Sequence, residues 1–390
     1  MTATSSPAKA SLVLVPVLIV GAVTGCATDV VASRFRAMPP QDSVIAAGDW
    51  YRPVSLVAGG SGGNLAVGPP SPAEVMRFAP VLVTARNWDS LAVVVVQDGR
   101  IVFENYAAPT GPSFRFDSQS MHRALLALAI GAAIGEGRIT SIDERAADQL
   151  QEWRADSRNK IVLRDLLYHQ SGFVDPPYAF AVDSPGMQMF IGADIERLTL
   201  AQRATAAPGV AFRANALDAQ VLGLVLERAT GLPYAKFISS RIWQPIGASS
   251  AYVRLDHARG HARTFCCIQA TARDWARIGQ LMLDHGRVGD RQLIRPEWIA
   301  QLLTASTLNP AFGAFWVLKP TPLTPRSVAA TDAPRTATAF ESPDVFYAGG
   351  RGGQRVYVIP SRRAVVVRFG RIRNDFDDGA FLNPVLRVLQ

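Results

Sequence analysis

The sequence predicts an α+β fold: an antiparallel sheet built from both chain ends, flanked by helices, with a mostly helical lobe inserted at about 140–262. Three observations carry this. Strand-like runs fall near the two ends, in SLAVVVVQDGRIVFENYAA from Ser90 and in VYVIP and AVVVRFG between Val356 and Gly370. The stretch between them reads as helices and long loops. Strands alternating with helices throughout, the mark of a doubly wound sheet, are missing.

Residues 1–26 read as a targeting segment. SLVLVPVLIVGAV is apolar but short for a membrane span, follows Lys9, and ends in Val23-Thr24-Gly25-Cys26. That ending resembles a bacterial lipobox, which implies a lipid on Cys26 and a mature chain beginning there. Ala27 follows instead of the aspartate that favours inner-membrane retention. The expected location is therefore the periplasmic side of the outer membrane. Residues 27–70 hold no sustained period and contain VAGGSGGNLAVGPPSP, so they read as a tether and extended lead-in to a domain over 71–390.

Within that domain Asp98-Gly99 divides two apolar runs and predicts a hairpin. SQSMHRALLALAIGAAIGEGRI then predicts a long apolar helix opened by Ser120 and closed near Gly135 and Gly137. RDLLYHQSGF predicts a short helix that stops at Ser171-Gly172. LDAQVLGLVLERATGLPYAKFISSRIW predicts two helices broken at Thr230-Gly231. Thr271 reads as the N-cap of an amphipathic helix ending at Gly286. Two C-terminal strands meet at Pro360-Ser361, and a short helix ends the chain. Residues 321–343 form a Pro/Thr/Ala-rich loop.

Composition excludes several functions. Hydrophobic residues at 48% and charged ones at 18% describe a globular chain long enough to bury a sizeable core. The net charge of +8 is almost all arginine, since the lysines are only Lys9, Lys160, Lys236 and Lys319. These arginines are scattered and not interleaved with aromatics, which argues against nucleic-acid binding. Cys266 and Cys267 are adjacent; one peptide brings Cα atoms closer than disulfide geometry prefers, so they read as two small buried residues. His257 and His261 stand four apart beside Asp256, but Gly260 weakens any helix there and no glutamate follows His257. They read as a solvated loop rather than a metal site. No cofactor is implied.

Ser120 and Arg123 carry the candidate chemistry. Spacing of i, i+3 puts both on one helix face, which predicts Arg123 within hydrogen-bonding reach of the Ser120 side chain. A serine followed at i+3 by an amine is the nucleophile arrangement of β-lactamases and penicillin-binding proteins. With Ser120-Met121-His122-Arg123, the segments GEGRI, RDLLYHQSGF, PGVAF, LGLVLERATG, IWQPIGA, CCIQATARDWARIGQLML and GGRGGQRVYVIP follow in one colinear series from about Val81 onward. Together they resemble the serine β-lactamase-like hydrolases, nearest to the class C-like esterases and 6-aminohexanoate-oligomer hydrolases. The resemblance implies a β-lactamase/transpeptidase-like fold and an acylated serine at Ser120. Ser118 aligns less well, because its i+3 residue is Met121.

Two departures accompany the resemblance. The family keeps a lysine where Arg123 stands, and a guanidinium offers no lone pair to take a proton. The family's tyrosine is replaced by Ala214 in Pro208-Gly209-Val210-Ala211-Phe212-Arg213-Ala214-Asn215. Asn215 is a polar match that either orients a substrate amide or caps a turn. Ala348-Gly349-Gly350 stands where the family's Lys-Thr-Gly or His-x-Gly strand runs, so the N–H groups of Ser120 and Arg351 form the implied oxyanion hole. Gly350, Gly352 and Gly353 either let substrate approach that strand or form a turn. His122 reads as packed and His169 as structural. Asp274 and Trp275 read as bracing their helix.

Two functions remain open on these residues. One is acyl transfer through Ser120 on a small-molecule ester, amide or β-lactam, with Arg123 as an electrostatic aid. The other is a catalytically degenerate envelope module that binds a peptidoglycan fragment or other carboxylate through Arg123 and Arg351. Oligomeric state is not legible.

Overall fold

Alternation within two valine-rich runs decides the architecture. In the computed structural model, which describes residues 1–2, 23–40, 43–63, 65–66, 68, 71–319 and 338–389, the strands are β1 (Val54–Val57), β2 (Ser90–Gln97), β3 (Arg100–Tyr106), β4 (Phe116–Asp117), β5 (Ala251–Arg254), β6 (Ile268–Ala270), β7 (Arg287–Val288), β8 (Arg291–Gln292), β9 (Phe346–Gly350), β10 (Gln354–Ile359) and β11 (Ala364–Gly370). Five of them form an antiparallel sheet in the order β3-β2-β11-β10-β9. Both chain ends thus build one sheet, as the sequence predicts. Val94, Val96, Val356, Val358, Val365 and Val367 enter one core, while Val93, Val95, Tyr357, Ile359 and Val366 enter another. Period two sends successive side chains to opposite faces, and both faces are covered. That is why these strands read as unbroken apolar runs.

The helices follow as α1 (Val23–Ala37), α2 (Pro72–Arg77), α3 (Ala79–Asn87), α4 (His122–Gly135), α5 (Ala146–Gln149), α6 (Leu163–Leu167), α7 (Pro185–Ile191), α8 (Ile195–Leu200), α9 (Leu217–Thr230), α10 (Tyr234–Ile238), α11 (Ala272–Leu283), α12 (Pro296–Leu302) and α13 (Asp378–Leu386). Residues of α3 and α13 share one core with the sheet, while α4, α9 and α11 share the other. Thr271 caps α11 with a full capping box closed by Asp274, whose Oδ1 also accepts the Ser249 N–H at 2.8 Å. Trp275 on the same helix is fully buried, so this pair braces α11 as expected. Gly231, left-handed at φ 68°, ends α9 where the Thr-Gly pair predicts a break. Among the described residues no helix is long and apolar enough to cross a membrane.

The segment read as tether and lead-in also holds structure. Within 27–70 the chain contributes the C-terminal part of α1 and all of β1. Arg34 of α1 donates from Nη1 to the Ile191 carbonyl at 2.8 Å and from Nη2 to the Asp256 carbonyl at 2.7 Å. Strand β1 pairs with β5 in a second sheet, β1-β5-β6-β4. Neither element shows in the sequence, because β1 has only four residues and α1 lacks a sustained apolar stripe. Residues 3–22 of the targeting segment, the Cys26 side chain and residues 320–337 of the Pro/Thr/Ala-rich loop lie outside the described residues.

A second correction concerns the adjacent cysteines. Cys266 and Cys267 are joined by a disulfide across neighbouring Cα atoms 3.7 Å apart. Average disulfide geometry argues against such a ring. Here Cys267 takes a left-handed backbone at φ 74°, a conformation the one-dimensional reading did not anticipate. Both residues are buried, as expected.

Candidate active site

Ser120 lies in the single 3-10 turn Gln119–Met121, which leads directly into α4. The turn is held from both sides. Gln119 adopts φ 49°, and the Asp117 carboxylate accepts both its backbone N–H and its side-chain amide at 2.9 Å. Its carbonyl accepts the Cys267 N–H at 3.2 Å, tying the turn to the disulfide. A non-glycine residue in this region of φ persists only where its surroundings hold it. Ser118 is fully buried, and its hydroxyl accepts the Ile268 N–H at 3.2 Å. Ser120 is half-buried, and among the described residues neither its hydroxyl nor its N–H makes a hydrogen bond. Of the two serines, Ser120 presents the available group.

Strand β9 runs beside this turn at the edge of the five-stranded sheet. A Cβ added at Gly350 would lie 2.6 Å from the Ser118 carbonyl, so glycine is needed for the strand to approach this closely. Arg355 Nη1 donates to the Gly350 carbonyl at 2.8 Å, and Asp378 holds Arg355 Nε at 2.7 Å. This buried pair fixes β9 against the nucleophile turn; nothing in the sequence pattern singles it out. Arg351 follows at once, half-buried in the turn to β10. For Gly352 and Gly353 the geometry favours the turn alternative. They are left-handed turn residues at φ 75° and 85°, and a Cβ on either would strike Ile372 or Phe376.

Arg123 lies in the first turn of α4 and is buried. Its Nε donates to the Phe265 carbonyl at 3.1 Å, and its charge opposes those of Asp175 and Asp218. Asp218 is fully buried, and burial pushes its carboxyl well above the ordinary range despite bonds from Ser171 and Asn215 and the charge of Arg123. His169 Nδ1 lies 2.9 Å from Asp218 Oδ2. The ring is 1% exposed and packed against Phe212, Phe312 and Phe315, a structural setting. His122 is equally enclosed, between the Cys266 carbonyl and the Tyr234 hydroxyl at 2.8 Å each, and burial lowers its pKa to about 4.

Asn215 resolves toward the capping alternative. Its Oδ1 accepts the Asp218 N–H at 2.8 Å, and its Nδ2 donates to the Arg213 carbonyl at 2.9 Å and to Asp218 Oδ2 at 2.7 Å. It is buried at 3% exposure, and both of its Nδ2 hydrogens are taken by protein acceptors. The start of α9 is covered again by Asp175, whose Oδ1 accepts the N–H groups of Ala216 at 2.7 Å and Leu217 at 3.3 Å. Asp175 is solvent-accessible yet crowded by protein, and desolvation raises its pKa while Arg123 opposes the rise. Its only signal in the sequence is a lone aspartate just past Ser171-Gly172-Phe173.

His261 meets Glu227 at 2.5 Å and Glu196 at 3.2 Å, and the Glu227 hydrogen bond lifts its pKa to about 9. Among the described residues no group of three or more His, Cys, Asp or Glu side chains is placed to hold a metal ion.

A family model described as Beta-lactamase matches residues 79–387. A 6-aminohexanoate-dimer hydrolase of Paenarthrobacter ureafaciens is 25% identical over 227 residues, covering 55% of this chain and 57% of that protein. The match thus spans little more than half of that relative's length. Among solved structures, a penicillin-binding protein homolog from Caulobacter crescentus superposes with TM-score 0.62 at 18% identity, over 83% of this chain and 99% of that one. A family VIII carboxylesterase gives 0.62 at 17% identity, over 83% and 99%. At such identities the two structures establish the fold alone.

Proposed function

From membership of the Beta-lactamase family, to which the chain belongs over residues 79–387, we propose that it is a serine acyl hydrolase acting through Ser120 on a small-molecule ester or amide. The observation that carries this reading is the half-buried Ser120 turn, whose hydroxyl and N–H are both uncommitted while Ser118 beside it is fully engaged. Ser120 Oγ attacks the acyl carbon, and the developing oxyanion is received by the N–H groups of Ser120 and Arg351. The 6-aminohexanoate-dimer hydrolase at 25% identity supports an amide or related acyl substrate, and family membership keeps β-lactams within the same proposal. Hydrolysis of p-nitrophenyl acetate and butyrate tests it. Turnover is expected from the wild type and lost in Ser120→Ala; equal rates from both proteins exclude Ser120 as nucleophile.

The apolar run ending in VTGC supports a further part of the proposal, a lipid on Cys26 that holds the mature chain on the periplasmic face of the outer membrane. A second reading, a non-catalytic module that binds carboxylate-bearing peptidoglycan fragments, draws on the permanent charge of Arg123. Asp175 and Asp218 already oppose that charge, which weakens Arg123 as an anion clamp. Calorimetric binding of muropeptides with no ester turnover would favour this second reading.

A further inference from the structure

Among the described residues neither the hydroxyl nor the N–H of Ser120 makes a hydrogen bond, so its neighbours set where it stands. One segment grips the chain on both sides of it. The Ser118 N–H donates to the Ile268 carbonyl at 3.1 Å, and the Ile268 N–H donates back to the Ser118 hydroxyl at 3.2 Å. The Cys267 N–H donates to the Gln119 carbonyl at 3.2 Å. Beyond Ser120, His122 Nδ1 lies 2.8 Å from the Cys266 carbonyl, and Arg123 Nε donates to the Phe265 carbonyl at 3.1 Å. Every residue from Phe265 to Ile268 is thus bonded to the nucleophile turn or to the first turn of α4.

The middle of that segment is the Cys266–Cys267 disulfide ring. Cys267 stands at φ 74° and Gln119 at φ 49°, so two left-handed residues with side chains meet through one hydrogen bond. A Cβ makes this backbone region unfavourable, and each residue stays there only while something holds it. Gln119 is held by the Asp117 carboxylate on one side and by the Cys267 N–H on the other. Cys267 is held by the covalent bond to its neighbour, because a closed ring resists the rotation that would return it to negative φ. Both cysteines are buried, at 3% and 1% exposure, which keeps solvent thiols away and suits a fixed constraint rather than a switch.

We propose that the Cys266–Cys267 ring is the positioning element of the nucleophile turn. By holding Cys267 at positive φ it aims the Cys267 N–H at the Gln119 carbonyl, and so fixes the place of Ser120 Oγ. The proposal rests on the reading of Ser120 as nucleophile. Neither cysteine takes part in bond making; both act through Gln119. Opening the ring with a dithiol adds two electrons and two protons, gives two thiols, and oxidises the dithiol to its own disulfide. Cys267 is then an ordinary residue that favours negative φ. As it relaxes, its N–H turns away from the Gln119 carbonyl and Gln119 loses one of its two holds. Ser120 follows, and misplacement of a reacting atom by about 1 Å costs about 10²-fold in rate.

The test compares wild type, Cys266→Ser/Cys267→Ser and Cys266→Ser/Cys267→Gly in p-nitrophenyl butyrate turnover, fluorophosphonate labelling rate and thermal melting. Serine leaves position 267 with a Cβ and no ring; glycine takes positive φ freely. The serine pair should lose about 10²-fold in kcat and labelling rate with KM little changed. The glycine variant should recover most of that loss although it melts no higher, because it restores the backbone and not the packing. A serine pair within about threefold of wild type overturns the proposal. So does a glycine variant as slow as the serine pair, since rates that merely follow melting are the mark of a structural role. If the serine pair fails to fold, wild type reduced with dithiothreitol replaces it, with alkylation and peptide mapping to verify both thiols. Unchanged kcat in that reduced chain overturns the proposal equally. Wild type that neither turns over nor takes the label refutes the nucleophile reading, and the positioning claim falls with it.

Discussion

An arginine at position 123 changes what the nucleophile helix does to its surroundings. Lysine there would be a candidate base; arginine is a fixed charge whose influence falls on carboxyls. Of those, Asp175 responds in a way that can be measured. Arg123 lowers its proton affinity, so removing the charge raises it. In Arg123→Gln the Asp175 carboxyl should therefore stay protonated up to a higher pH, as an NMR titration of its side chain would read. A titration that stays in place would separate the two groups. The lack of a lysine at 123 and a tyrosine at 214 was legible from the sequence, because it is a matter of residue identity. The cap that Asp175 places on the start of α9 was not. Asp175 reaches the start of α9 across a separation of some forty residues, and a single aspartate in a loop carries no periodic signal.

At the scale of elements, β9 and the Ser120 turn depend on one close approach. A Cβ at Gly350 would stand 2.6 Å from a backbone carbonyl that cannot rotate away. Gly350→Ala must displace either the strand or the turn, and overpacking of this kind costs about 1–3 kcal/mol. The expected result is a melting temperature lowered by a few degrees and ester turnover reduced tenfold or more. Wild-type turnover with wild-type melting would show that the approach has no catalytic consequence. Motif order alone sets this strand beside the nucleophile, with Gly350, Gly352 and Gly353 as one group. Only positive φ and the positions of Ile372 and Phe376 separate the last two as turn residues. Likewise Asn215 was legible as polar but not as a cap, since the distinction lies in the Asp218 N–H that its side chain accepts.

For the whole molecule, the predicted sheet and lobe were legible because they rest on repeated patterns. Valine runs, the Asp98-Gly99 turn and the Thr271 cap each recur over several residues and agree with one another. What escaped notice depends on single contacts between distant segments: α1 held by Arg34, β1 paired with β5, Arg355 bridging Gly350 and Asp378, and the Cys266–Cys267 ring under the Ser120 turn. Three of these four converge on the nucleophile or its enclosing sheets, so the molecule invests tertiary contacts where the local pattern is weakest. The account stands on Ser120 being chemically competent in that setting. Intact mass and peptide mapping after incubation with a fluorophosphonate test this most directly. One adduct per chain is expected, located on Ser120 and absent in Ser120→Ala. An unmodified wild-type chain, or an adduct on Ser118 or any other residue, would contradict it.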